Sequence, residues 1–209
     1  MSLMDQSVRS FVQAASSRTP TPGGGSVAAL VAALGAAMGS MVAHFSQGPK
    51  FASHSEEMEH MIIRMKADID QFESLLEEDV HSFETYMSAA RMSGQTEEHK
   101  QAKQAALASA SVLATEVPVR LMRRCLASME TMEGIAGNAN RRVLSDLGIA
   151  VYLLEAAARS AWITVAINLP GLQEEKLKEQ YGRECAQIIG RIESIRAGML
   201  STIHSRINE

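Results

Sequence analysis

A carboxylate stands where an apolar residue is expected. Taken alternately four and three residues apart from Met58, the chain reads Ile62, Met65, Ile69, Phe72, Leu76, Asp79, Phe83 and Tyr86. This is one face of a helix, and Asp79 is its only charge. A charge left in such a seam costs several kcal/mol unless it is paired, neutralised or solvated in a cavity. Apolar neighbours such as Phe83 would raise its pKa and suit it to general acid or base work near neutrality. A straight helix drifts across such a pattern, so Val80 could equally take the seam and leave Asp79 at its edge. Periodicity alone keeps both placements open.

A second candidate is the turn Pro20-Thr21-Pro22-Gly23-Gly24-Gly25, which runs into an almost wholly apolar segment ending near Phe45. The prolines stiffen the approach, while the glycines allow dihedrals and close approaches that a side chain forbids. At a helix start such a turn can aim backbone N–H groups at an anion or carbonyl. No Lys-Ser/Thr follows, so it is not a Walker loop, and a plain chain reversal is the competing reading. Ser26 is expected as the N-cap of the following helix. A third polar set, Asn138, Asn140, Arg142, Ser145 and Asp146, borders a later helix, where a cap followed by an acid is also ordinary helix chemistry. Asp146 and Asn168 nearly share a face of that helix, yet about 33 Å of rise separates them. If both touch ligand, they serve different sites or different subunits.

The elements that must position these groups are all helical. The patterns predict helices over about Asp5–Ala15, Ser26–Phe45, Ser53–Met92, Glu97–Gly134, Ser145–Asn168 and Gln173–Ile207. Pro118 lies inside the fourth, so a kink or break is expected near Thr115. No strand-period run intervenes. The expected fold is therefore all-α, a single domain over residues 1–209, built as a bundle of long antiparallel helices around a buried Ala/Gly-rich central helix. That helix is long enough to cross a bilayer and carries a GxxxG at Gly35 and Gly39. Its Ala and Gly drive insertion weakly, however, and the other helices are amphipathic, so a core position surrounded by protein is preferred.

Composition narrows the function classes. Hydrophobic residues make up 46% and charged residues 21%, which suits a globular core. Aromatics are only 4% against 13 methionines, a mixture that fills close-packed helices better than sheets. A net charge of -4 with no dominant basic stripe argues against nucleic acid as partner. The cluster Arg120, Arg123 and Arg124 reads as a solvated helix face. Cys125 and Cys185 lie far apart, without CxxC or nearby histidine, so neither a zinc site nor a disulfide is indicated and a reducing compartment fits. The first residues lack the pattern of a secretory leader.

The segment "TPTPGGGSVAALVAALGAAMGSMVA", followed in order by "DVHSF", "EVP", "SDLGIA" and "INL", resembles the cyclodeaminase/cyclohydrolase family over nearly the whole chain. The resemblance implies an all-helical homodimer with a tetrahydrofolate site near the subunit interface. It also implies a cytoplasmic one-carbon enzyme that uses no metal and no cofactor beyond the tetrahydrofolate derivative it converts. The family's catalytic acid falls in a D-x-x-[AS]-F motif, here Asp79-Val80-His81-Ser82-Phe83, the carboxylate that periodicity singles out. Gly23, Gly24, Gly25, Ser26, Glu116, Asn140, Arg142, Ser145, Asp146 and Asn168 become substrate-binding candidates. The chain departs from the family's usual asparagines at His44, Arg142 and Thr164. The implied activity is formimidoyltetrahydrofolate cyclodeaminase, releasing ammonia and forming 5,10-methenyltetrahydrofolate. Methenyltetrahydrofolate cyclohydrolase and a non-catalytic folate-binding or structural dimer are the alternatives.

Overall fold

The computed structural model describes residues 2–208. Six helices, α1 (Val8–Ala15), α2 (Gly24–Phe45), α3 (Ser55–Arg91), α4 (Glu97–Glu133), α5 (Leu144–Asn168) and α6 (Glu175–Asn208), account for most of them, with no strand among the described residues. Short connections, such as residues 92–96 between α3 and α4, return each long helix antiparallel to the one before. α2 packs on α3 and α5, α3 on α4, and α4 on α5, closing a four-helix square that α6 flanks along α4 and α5.

α2 is the close-packed strut of this square. A Cβ on Gly35 would lie 2.9 Å from Leu154 Cγ on α5, and one on Gly39 would lie 2.8 Å from Met132 Sδ on α4. The GxxxG glycines are thus absorbed inside the chain, each by a different neighbour. Methionine fills the centre: Met58, Met61, Met65, Met122, Met129 and Met132 are fully buried. By length and composition α2, α4 and the segment 141–171 could each cross a membrane, but the apolar positions of α2 are largely used against α3 and α5. Its burial is not complete, because Val27, Leu34 and Phe45 leave one face open.

Two local expectations are corrected. Ser26 does not cap α2; Gly23 occupies the cap without a side-chain bond, and Ser26 lies fully buried in the first turn. Of the kink or break expected near Thr115, the break does not occur: α4 runs through Pro118 as one helix. The carbonyl that proline leaves without its backbone donor, that of Ala114, instead accepts a hydrogen bond from Asn168 Nδ2 at 2.7 Å.

The α3 pattern also resolves. Asp79 is half-buried at the edge, while the fully buried carboxylate is Asp68, which periodicity from Met58 passes over. Asp68 accepts from Arg124 Nη1 at 3.0 Å and from the buried Ser128 hydroxyl at 2.7 Å. The expected solvated arginine face is likewise ion-paired: Arg120 with Glu78, Arg123 with Glu116 and Glu184, Arg124 with Asp68. Asp68→Ala is expected to cost about 3 kcal/mol, because the partly buried Arg124 would lose its charged partner and the buried Ser128 hydroxyl would keep only the Arg124 carbonyl as acceptor. The midpoint of urea unfolding measures it, and a loss below about 1 kcal/mol would mean that water replaces the carboxylate at little cost.

Candidate active site

The site forms where α2 begins against the second half of α3. With no side chain capping α2, its first-turn N–H groups need an acceptor. Asp79 supplies one from across the fold: Ser26 Oγ donates to Asp79 Oδ2 at 2.7 Å, and the Ser26 backbone N–H faces the carboxylate and favours its charged form. This approach is possible only because residue 25 has no Cβ, which would sit 2.0 Å from Asp79 Oδ1. Dihedral freedom is not the reason for the glycines. Among the described residues a left-handed φ occurs at Gly48, not in the 23–25 turn.

Competing effects set the protonation of Asp79. Burial raises its pKa above the ordinary 3.8 and outweighs the Ser26 hydroxyl and backbone N–H, which favour the charged form. The result is a carboxyl group with increased proton affinity, fixed in position by a neutral donor.

Asp79 opens into a cavity of about 520 Å³ at one end of the helical square, within the range of small-molecule sites. Gly23, Gly24 and Gly25 form one wall, and Phe83, Tyr86 and Ile167 offer apolar surface. Ser82, Ser111, Thr164 and Asn168 supply neutral polar groups. Ser82 donates to the Asp79 carbonyl at 2.9 Å, so its hydroxyl proton is committed. Asn168 is oriented by its bond to the Ala114 carbonyl: one of its two amide N–H groups is used, and the amide is held so that Oδ1 is available as an acceptor. Among the described residues Asp79 is the only carboxylate lining this cavity.

Of the sequence candidates, the structure brings together Asp79, Gly23, Gly24, Gly25, Ser26 and Asn168. Glu116 lies instead in a network along α4 and α6, bonded to Arg123 at 2.7 Å and to the Tyr181 hydroxyl at 2.6 Å, a bond that with burial pushes the phenol's pKa up. Asn140 is a structural clip that donates to the Phe45 carbonyl and accepts from the Arg142 backbone. Arg142 and Ser145 are exposed and Asp146 half-buried at the start of α5, the opposite end of that helix from Asn168. Sequence reasoning did not single out Ser111, Thr164 and Ile167 as cavity walls. Ser111 and Ala114 share a face of α4 and the 164–168 stretch ends α5, but neutral side chains announce no chemistry by type. For Asp68 a signal existed: Met61, Met65, Asp68, Phe72 and Leu75 keep three-four spacing and are all buried.

A family model described as formiminotransferase-cyclodeaminase matches residues 7–187. The chain is 28% identical to the methenyltetrahydrofolate cyclohydrolase of Methylorubrum extorquens over 205 residues, covering 98% of this chain and 99% of that protein. It is 31% identical to the formimidoyltransferase-cyclodeaminase of Rattus norvegicus over 206 residues, covering 98% of this chain but only 38% of that longer protein. The crystal structure of formiminotetrahydrofolate cyclodeaminase from Thermotoga maritima matches with a TM-score of 0.85 at 26% identity, over 97% of this chain and 98% of that one.

Proposed function

The chain belongs to the formiminotransferase-cyclodeaminase family, and from that premise we propose that it is a tetrahydrofolate-converting enzyme whose reaction is the cyclodeamination of 5-formimidoyltetrahydrofolate. The observation that carries this reading is Asp79, one carboxyl group of raised proton affinity facing a cavity whose other polar groups are neutral.

The chemistry requires one proton to move. With the formimidoyl group bound as its amidinium, N10 attacks the formimidoyl carbon and closes the ring. Asp79 as carboxylate takes the proton from N10 and delivers it to the amine of the tetrahedral adduct. The carbon–nitrogen bond then breaks, ammonia leaves, and the positive charge remains on the methenyl bridge. A carboxyl group whose pKa burial has raised above the ordinary carboxylate value suits both halves of this shuttle better than an unperturbed one. Phe83, Tyr86 and Ile167 would flank the heterocycle, and Asn168 Oδ1 would accept from one of its N–H groups.

A second reading, hydration of the methenyl group by a cyclohydrolase, is favoured by the end-to-end match with the Methylorubrum extorquens protein so named. Purified protein offered each substrate separately distinguishes the two. Ammonia release with growth of the methenyl absorbance supports cyclodeamination, and loss of that absorbance from methenyltetrahydrofolate supports hydrolysis. Neither turnover nor folate binding would remove both.

We further propose a cytoplasmic homodimer; two free, buried thiols, Cys125 and Cys185, agree with a reducing compartment. Support for assembly is an apolar stripe along α5, Ile149, Tyr152, Ile163 and Ile167, the last two 70% and 77% exposed, continued on α2 by Val27 and Leu34. An antiparallel pairing of two α5 helices through the middle of this stripe would carry Ser145 and Asp146 of the partner subunit to the Asn168 end, where the cavity opens. Ile163→Glu is therefore expected to give a monomer by light scattering at micromolar concentration and to lower turnover at least tenfold, since a charge buried at such a contact typically costs several kcal/mol. A parental protein that is monomeric and fully active would contradict this assembly.

A further inference from the structure

The cavity at Asp79 does not end at Tyr86. A second cavity of about 350 Å³ shares Tyr86, Ser111 and Gly171 with it and continues past Ala108, Leu107 and Gln104 to Lys103 and Lys100. On α4 these positions, 100, 104, 107, 111 and 114, follow one another at three-four spacing, so a single helix face lines both chambers. From Ser111 to Lys103 is eight residues, about 12 Å at the standard rise.

The two chambers differ in charge. Among the described residues no carboxylate lines the second, and its cations are two lysines. Lys100 is paired with Glu97 at 2.6 Å, which among the described residues leaves Lys103 as the cation without an acid. Lys103 is half-buried as a residue, and its ammonium donates at 3.0 Å to the carbonyl of Met92, the C-cap of α3, in a bond that is exposed to solvent. One of its three protons is used and its charge is uncompensated.

We propose that this second chamber holds the carboxylate-bearing tail of the substrate, with Lys103 as the specificity-determining contact and Lys100 as its support. The proposal rests on the tetrahydrofolate reading, in which the pterin occupies the Asp79 chamber and the aminobenzoyl group passes between Tyr86 and Ser111. The glutamate then reaches the lysines. The arrangement separates the reacting end, held by neutral groups and one carboxyl, from the anionic end, held by ammonium groups beyond the reach of Asp79.

The test compares two substrates on the full-length protein: the tetrahydrofolate derivative that the parental enzyme turns over, and the same derivative lacking its glutamate. Lys103→Gln removes the charge while keeping a side-chain N–H donor at this position. It is expected to raise KM for the complete substrate roughly tenfold, the size of one charge-assisted contact, with little change in kcat. KM for the glutamate-free substrate is expected to stay at the parental value, and Lys103→Arg to recover most of the loss. Lys66→Gln, on α3 outside both chambers, serves as the control. Equal KM changes for both substrates would reduce Lys103 to a structural role and overturn the proposal. So would parental KM for the complete substrate in Lys103→Gln and in the double variant with Lys100→Gln. A parental protein that neither binds nor converts either derivative would overturn the tetrahydrofolate reading itself, and this proposal with it.

Discussion

Asp79→Asn is expected to lower turnover by roughly 100- to 10,000-fold, the usual contribution of general acid–base catalysis, while the helical bundle stays folded. The amide is nearly isosteric with the carboxyl, and its oxygen can still accept from the Ser26 hydroxyl. What it lacks is the ability to take a proton from one nitrogen and deliver it to another. Turnover within a factor of about five of the parental rate, on the substrate the enzyme prefers, would place the proton transfer elsewhere. Stability should move the other way. Because burial raises the pKa of Asp79 above its unfolded value, the folded state binds a proton more readily than the unfolded one does. The carboxyl group therefore contributes stability that is fully present below its unfolded pKa and lost as pH rises through the folded one. At pH 7 Asp79→Asn should thus be the more stable protein, and the difference should shrink as pH falls toward the unfolded value. Denaturant midpoints at two pH values read this directly; a variant less stable at neutral pH would show that the Ser26 bonds outweigh burial.

Gly25→Ala is expected to cost at least about 100-fold in turnover, the penalty of an approximately 1 Å displacement of a catalytic group. The new methyl group would lie 2.0 Å from Asp79 Oδ1 and 2.5 Å from its Cγ, so the carboxyl must swing away and give up one or both Ser26 donors. Its short side chain can rotate without moving α3, and the damage should fall on activity more than on folding. Gly24→Ala provides the contrast. Nothing lies within 4 Å of a Cβ there, so its stability should change by less than about 0.5 kcal/mol, with any effect confined to ligand affinity. Parental kcat in Gly25→Ala would mean that the contact between α2 and Asp79 is not needed for the reaction. Comparable stability losses in both variants would reduce the turn to a chain reversal.

Helix type, order and approximate span were legible because helical periodicity is a local property that tertiary packing reinforced. Asp79 was legible for the same reason: it interrupts a regular apolar pattern. Its environment was not. Ser26 looked like a cap, since a serine following glycines has that local meaning, and only the arrival of α3 shows that the acceptor comes from another helix. Pro118 looked like a break because its missing N–H is visible in sequence, whereas the remedy, Asn168, lies 50 residues further along the chain. The arginines at 120, 123 and 124 looked solvated because their acids belong to α3, α4 and α6. In each case the residue's chemistry was readable and its partner was not.

The bond from Asn168 to the Ala114 carbonyl makes positions 118 and 168 a unit of change. Replacing Pro118 alone by alanine would return an N–H to α4 and give Ala114 its ordinary helical donor. The Asn168 amide, released from that duty, would be free to turn end for end and present a donor to the cavity in place of an acceptor. A substitution chosen to improve α4 would thus rewrite what α5 offers the cavity, one helix away from the backbone repair. Libraries aimed at altered substrate choice should vary the two positions jointly, because the value of either residue is defined only by the other.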